Sequence, residues 1–182
     1  RSQLVLAGGV DSLCRLTYYG FNSLQLLDPE GARPFDRDRR GMSVAEGAGM
    51  LLLTGSDTIP ENAFAEVLGA GLSCDAHHPA APHPEGEGAL KAMSLALEDA
   101  GLGPQDVDYI NLHGTGTTDN DLAEARAIRA LFGETVPPVS SIKGATGHSL
   151  AAAGAIEAVV CAMALRDGII PANTGCTEPD PA

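Results

Sequence analysis

The stretch VDYINLHGTGT, Val107 to Thr117, decides how the rest of the chain is read. A strand-forming run from Val107 to Leu112 leads straight into His113 and a loop that alternates glycine and threonine. Downstream, Asp121 to Phe132 carries apolar residues at helical spacing and stops at Gly133. A second strand is expected over Val136–Ile142, delivering a second loop, Lys143-Gly144-Ala145-Thr146-Gly147-His148-Ser149. An alanine-rich helix follows and ends near Asp167-Gly168. Upstream, Asp75 to Gly88 is rich in proline, histidine and glycine and reads as a loop. Gly88 to Ala100 reads as a helix capped by Gly101. This alternation predicts an α/β fold, a mostly parallel sheet with helices on both faces. The last helix is apolar nearly all round, so it is expected to lie sandwiched between layers.

The first third is less regular. Leu4–Ala7 reads as a short buried strand ending at Gly8-Gly9, and Ser12–Leu27 as helical or partly irregular. Gly31 to Gly41 is a polar loop. Ser43–Leu53 and Ala65–Ser73 read as two strands, joined as an antiparallel pair through the turn Ile59-Pro60-Glu61-Asn62.

Composition narrows the function classes. The chain's 182 residues are 44% hydrophobic and 19% charged, which suits a packed domain. With 11 Lys+Arg against 24 Asp+Glu the formal charge is -13, a surface that repels a phosphate backbone and argues against nucleic-acid binding. No apolar run approaches the roughly 20 residues a membrane-spanning helix needs, and Leu150–Leu165 is broken by Glu157. The N-terminus has no signal-peptide layout and reads as a cut through a larger protein. Four separated cysteines, Cys14, Cys74, Cys161 and Cys176, read as reduced thiols in a cytoplasmic protein.

The chemistry concentrates where the two strands end. Sites in open α/β sheets form beyond the carboxyl ends of strands, and both histidine loops occupy that position. Their glycines admit a ligand close to backbone, and the threonines offer hydroxyls to it. Either histidine alone reads more simply as a structural hydrogen-bonder. Paired, with Lys143 five residues before His148, they form a specific constellation.

His113-Gly114-Thr115-Gly116-Thr117 and Lys143 through His148 resemble the histidine and lysine–histidine motifs of elongating β-ketoacyl–acyl carrier protein synthases. The resemblance extends from Val5-Leu6-Ala7-Gly8-Gly9 through Arg33-Pro34-Phe35-Asp36 and Gly47-Ala48-Gly49-Met50 to Arg166-Asp167-Gly168. It implies a partial thiolase-like fold, with residues 1–58 ending one half and residues 59–182 forming most of the other. It also implies decarboxylative condensation of malonyl-acyl carrier protein with an acyl thioester, in fatty-acid or polyketide synthesis. No metal or separate cofactor is implied; the phosphopantetheine arm of the carrier protein brings the substrate. A homodimer, or a heterodimer with another condensing-enzyme subunit, is implied for the full-length protein.

Carried over by position, His113 and His148 flank the malonyl thioester carbonyl as catalytic groups, and Lys143 lies beside them, paired with Glu157. If His148 precedes a helix, the positive end of the helix dipole disfavours its protonation. Thr115 and Thr117 bind the phosphopantetheine arm or merely cap their loop. Asp121 and Glu124 order the first loop or complement a helix start. The family's nucleophilic cysteine belongs to a sharp strand-to-helix turn, and none of the four cysteines reads as that residue, so the chain alone is expected to form no acyl-enzyme. A chain-length-factor-like partner of the same fold is the alternative; it predicts loss of the reactive constellation, which is present here.

Two further signals stay secondary. Cys74, His77, His78 and His83 lack a second paired ligand and read as a loop at the substrate entrance, not a zinc site. Arg33, Arg37, Arg39 and Arg40 are the basic spot of an acidic chain. They either dock the acidic carrier protein or form a solvated loop neutralised by Asp36 and Asp38.

Overall fold

The computed structural model describes residues 3–55 and 60–181. Its elements are β1 (Leu4–Asp11), α1 (Arg15–Ser23), β2 (Gly47–Thr54), α2 (Glu87–Ala100), β3 (Ile110–Asn111), α3 (Thr118–Phe132), β4 (Val139–Ser140), α4 (Lys143–Thr146) and α5 (Ala153–Asp167). β1 and β2 form an antiparallel ribbon in which Leu6 opposes Leu52 and Gly9 opposes Gly49. β3 and β4 pair in parallel, Ile110 with Val139 and Asn111 with Ser140. The sheet content is therefore mixed.

Several elements form for local reasons. α2 ends where Gly101 turns left-handed, and Gly101 and Leu102 donate to the last carbonyls. α3 carries Asp119 and Asp121 in its first turn and Arg129 in its last, each complementing the helix dipole. It buries Ala123, Ala127 and Ile128 beside α2.

Side chains alternate across the ribbon, and its small residues face α5. A β-carbon on Gly49 would come within 2.6 Å of the Ile156 backbone nitrogen, and one on Gly9 within 2.1 Å of the Ala151 carbonyl oxygen. Glycine is what lets helix and ribbon meet.

Several sequence expectations are corrected. β1 runs to Asp11, past the glycine pair where the strand was expected to stop. It is also not buried: Leu4, Val5 and Leu6 are exposed, because among the described residues the helical layer on the ribbon covers its glycine face. α5 is likewise covered on one side, leaving Met163 and Leu165 in solvent. β2 pairs with β1, and residues 65–73 form no strand. Instead Gly69 and Gly71 press against the α2 backbone while Ala70 N–H donates to the Asp99 carboxylate at 2.9 Å, so a ladder bond is replaced by a side-chain bond. Part of the expected 59–62 turn, Ile59, lies outside the described residues. The two parallel strands are shorter than expected. Pro137 and Pro138 cannot donate to a ladder, so β4 begins after them.

Gly49→Ala is expected to force α5 off the ribbon and destabilise the full-length protein by about 1–3 kcal/mol, in the range of overpacked interiors. Urea denaturation checks this; an unchanged midpoint would mean the close approach is dispensable.

Candidate active site

The β3–β4 ladder extends one residue, since Leu112 N–H donates to the Ser140 carbonyl at 2.9 Å. His113 therefore leaves the sheet edge directly opposite the start of the lysine loop. Gly114 takes φ +38°, and a β-carbon there would lie 2.5 Å from Ser141 Cβ, so the turn after His113 has no room for a side chain. Glu124 accepts His113 N–H at 2.7 Å through Oε1 and Gly114 N–H at 2.8 Å through Oε2. Asp121 accepts the next two, Thr115 N–H at 3.1 Å and Gly116 N–H at 3.2 Å. Four consecutive backbone donors are thus held by two carboxylates one turn apart on α3. The other Asp121 oxygen takes Phe35 N–H at 2.8 Å, tying in the 33–40 loop. Phe35 sits in the left-handed region at φ +60°, a strained position for a bulky residue.

His148 is anchored by backbone: its N–H donates to the Ser43 carbonyl at 2.7 Å and its carbonyl accepts Ala45 N–H at 3.0 Å. Gly147 at φ +71° allows this approach, since a β-carbon there would meet Ala45 Cβ at 2.8 Å. The imidazole Nδ1 accepts Leu150 N–H at 3.2 Å. With Nδ1 an acceptor, the proton of the neutral ring belongs on Nε2. Leu150 adopts φ +49° in making this bond. A 3-10 turn, Leu150–Ala152, separates His148 from α5, so one directed N–H takes the place of the expected helix dipole.

The two imidazoles meet edge to face, with ring centroids 5.2 Å apart and planes at 83°. Burial first, then the nearby Lys143 charge, lowers the pKa of each to about 4; His148 adds a smaller push on His113. Part of the His113 side chain faces solvent while the rest is backed by protein, so one edge stays open to a ligand. His113 lines a cleft of about 230 Å³ together with Asp75, Pro82, Gly86 and Asn120. The proline-rich loop read as an entrance thus contributes to its wall.

Lys143 is 1% exposed, and its ammonium donates to the His113 carbonyl at 2.5 Å and to Glu157. Thr115 is buried, its hydroxyl 2.8 Å from that of Thr117 and accepting Thr117 N–H at 3.3 Å. It braces the loop, and Thr117 is the more accessible hydroxyl.

The arginine cluster divides. Arg39 is buried, its Nη1 on the Asp36 carbonyl at 3.0 Å and on Asp180 at 2.5 Å, its Nε 3.5 Å from Asp121. It is a buried structural tie. Arg33 is 30% exposed and donates to the Asp38 carbonyl at 2.8 Å. Arg37 and Arg40 keep more than half of their side chains in solvent, at 58% and 52%. Asp36 is not a solvated neutraliser. Its buried carboxylate accepts N–H groups of Asp38, Thr177 and Glu178, which hold its pKa well below the carboxylate range. Cys14 does occupy a strand-to-helix junction, as N-cap of α1, where its thiol is engaged by Thr17. Cys161 is half-buried instead of lying in a fully buried helix.

Ser141, Ser43 and Asn173 belong to the site and escaped the sequence reading. Ser141 stands two residues before Lys143, which was the available signal; Asn173 carried none. Among the described residues no group of three or more His, Cys, Asp or Glu side chains is placed to hold a metal ion, and no helix is long and apolar enough to cross a membrane.

The site thus combines two imidazoles of lowered pKa on strand-end loops with a buried lysine, on a thiolase-like fold. The chain belongs to the β-ketoacyl synthase family: residues 64–177 match the family model of the C-terminal domain, and residues 1–58 that of the N-terminal domain. It is 41% identical to nodulation protein E of Rhizobium sp. (strain N33), over 100% of this chain and 46% of that protein. It is 39% identical to 3-oxoacyl-[acyl-carrier-protein] synthase 2 of Synechocystis sp., over 99% of this chain and 46% of that one. Among solved structures, the ishigamide ketosynthase/chain length factor superposes with TM-score 0.91 at 40% identity, covering 98% of this chain and 45% of that one. A β-ketoacyl synthase from Burkholderia phymatum superposes with TM-score 0.91 at 35% identity, covering 98% and 45%. The chain spans about half the length of the relatives it matches.

The pKa shifts carry a stability signature. His148 falls from 6.5 to about 4, so its contribution is complete above pH 6.5 and is lost as pH falls through about 4. Burial raises Glu124 from 4.5 to about 7, the opposite sign: its contribution is present below pH 4.5 and is lost as pH rises through about 7. His148→Gln should flatten the acid side of the stability–pH curve and Glu124→Gln the neutral side, read by chemical denaturation. Slopes identical to wild type would contradict both burials.

Proposed function

We propose that the full-length protein carrying this chain is a β-ketoacyl–acyl carrier protein synthase in fatty-acid or polyketide synthesis. The supporting observation is the His113–His148 pair, 5.2 Å between centroids and held neutral, with His113 lining a cleft. Decarboxylation of a malonyl thioester moves the electrons of the breaking C–C bond into an enolate. Neutral imidazole N–H groups directed at the thioester oxygen stabilise that charge, and preorganisation makes such donors effective. Lys143 bonds the His113 carbonyl and Glu157, which suits a group that shapes the site's potential without meeting the reacting atoms. Thr117 is the hydroxyl we assign to the phosphopantetheine arm, with Thr115 behind it. No metal or further cofactor enters this chemistry.

The acyl-bearing cysteine we assign to residues outside this chain, because no hydrogen bond or ring contact among the described residues joins any of the four thiols to either imidazole. Residues 1–58 and 59–182 are then parts of two thiolase-like halves, and the isolated chain is inactive. The intact His113–Lys143–His148 set favours an enzyme over a chain-length-factor-like subunit. Ketosynthase relatives have been solved with chain length factors and with an acyl-carrier protein, and we assign comparable partners, a carrier protein and a second condensing-enzyme subunit. The free thiols fit a cytoplasmic setting.

In the full-length protein, His148→Ala should lower malonyl-acyl carrier protein decarboxylation, followed as carbon dioxide release, by roughly 100-fold or more. Acylation of the cysteine should persist, and unchanged decarboxylation would remove the role given to His148.

Carrier docking falls to Arg37 and Arg40, the two exposed members of the basic cluster. Arg37→Glu with Arg40→Glu should weaken carrier binding most at low salt, since long-range steering is screened by ions. Equal affinities across a salt series would exclude this face.

A further inference from the structure

We propose that Asn173 is a positioning residue for the decarboxylation, acting through Ser141 to fix the spacing of the two histidine loops. This rests on the condensing-enzyme reading and adds to it a residue from a segment remote from both motifs.

Ser141 is fully buried, 0% exposed, between the two loops. Its hydroxyl donates to the Gly114 carbonyl at 2.7 Å and accepts Lys143 N–H at 3.2 Å. One side chain thus joins the residue after His113 to the residue whose ammonium holds the His113 carbonyl. Among the described residues the Ser141 backbone N–H has one partner, Asn173 Oδ1, at 3.0 Å. Asn173 in turn donates through Nδ2 to the Pro34 carbonyl at 3.0 Å. Its amide also hydrogen-bonds the Cys176 thiol.

Pro34 precedes Phe35, whose N–H shares the Asp121 carboxylate with Thr115 and Gly116. The path from Asn173 therefore reaches the first histidine loop from two sides, through Ser141 and through the 33–40 loop. Asn173 also opens a strap along that loop: Thr177 and Glu178 N–H groups donate to Asp36 at 2.8 and 3.1 Å, and Asp180 N–H donates to the Phe35 carbonyl at 2.9 Å. The strap clamps one end of the 33–40 loop, and Asn173 carries that clamp to the lysine loop. Removing the carboxamide leaves a buried N–H without its acceptor, and the loop can recover a partner only by shifting.

Misplacement by about 1 Å can cost up to about 100-fold in rate. In the full-length protein, Asn173→Ala should therefore lower kcat for malonyl decarboxylation by roughly 10–100-fold, with KM and cysteine acylation left within about twofold. Asn173→Asp keeps the acceptor for Ser141 but loses the donor to the Pro34 carbonyl, and should recover part of the rate. Ser141→Ala cuts the bridge at its other end, should repeat the Asn173→Ala signature, and stands in if Asn173→Ala does not fold. Decarboxylation at the wild-type rate in a folded Asn173→Ala overturns the proposal, as does a parallel fall in acylation. Equal losses in the Asp and Ala variants also overturn it. His148→Ala in the same series separates the two readings: if it abolishes decarboxylation while Asn173→Ala does not, the positioning role alone fails.

Discussion

The buried ammonium of Lys143 is the constraint around which the rest of the site is arranged. A charge taken out of water costs several kcal/mol unless it is paired and hydrogen-bonded. Here the compensation comes from Glu157 on α5 and the His113 carbonyl beyond β3, so one lysine ties the helix, the first histidine loop and its own loop together. The same charge acts through the low dielectric on both imidazoles and, after burial, is the main cause of their lowered pKa values. Structural tie and electrostatic setting are one feature and cannot be altered separately.

The interior follows the same logic. Lys143, Asp36, Asp121 and Ser141 are among the largest side chains excluded from solvent, together with Leu112 and Pro34. Each polar member holds backbone that has no sheet partner: Asp121, helped by the less buried Glu124, the four N–H groups after β3, Asp36 the strap beyond residue 176, Ser141 the turn between the loops, Lys143 the His113 carbonyl. Two-residue strands cannot order loops of this length by ladder bonding alone. The carboxylates supply the missing acceptors, and buried backbone requires them.

This division explains what the sequence revealed. Helices α2 and α3 were legible because periodicity and glycine caps are local signals, and the histidine loops were legible because glycine, threonine and histidine have few other reasons to cluster after a strand. The partner of β2 was not, since residues 65–73 are as strand-like as β1 in sequence, and what holds them elsewhere is the packing of Gly69 and Gly71 on α2 with the Asp99 carboxylate. Arg39 and Asp36 resemble any charged loop in sequence. Their burial depends on residues more than 130 positions away, Thr177 to Asp180, which no local pattern connects to them. The neighbourhood of His148 differs from the sequence expectation for a similar reason: one positive φ at Leu150 replaces a helix start by a single directed donor.

That donor bears directly on the decarboxylation proposed for the full-length protein. An imidazolium would offer a stronger hydrogen bond to an enolate oxygen, but it would bind the malonyl carboxylate as well, and an interaction shared by ground and transition states does not speed decarboxylation. A neutral Nε2–H discriminates, because its partner oxygen gains charge only as carbon dioxide departs. Leu150 N–H on Nδ1 presents the Nε2–H form, and the Lys143 ammonium raises the cost of a second proton on the ring. A cation kept off the reacting atoms can therefore favour the reaction more than one placed on them.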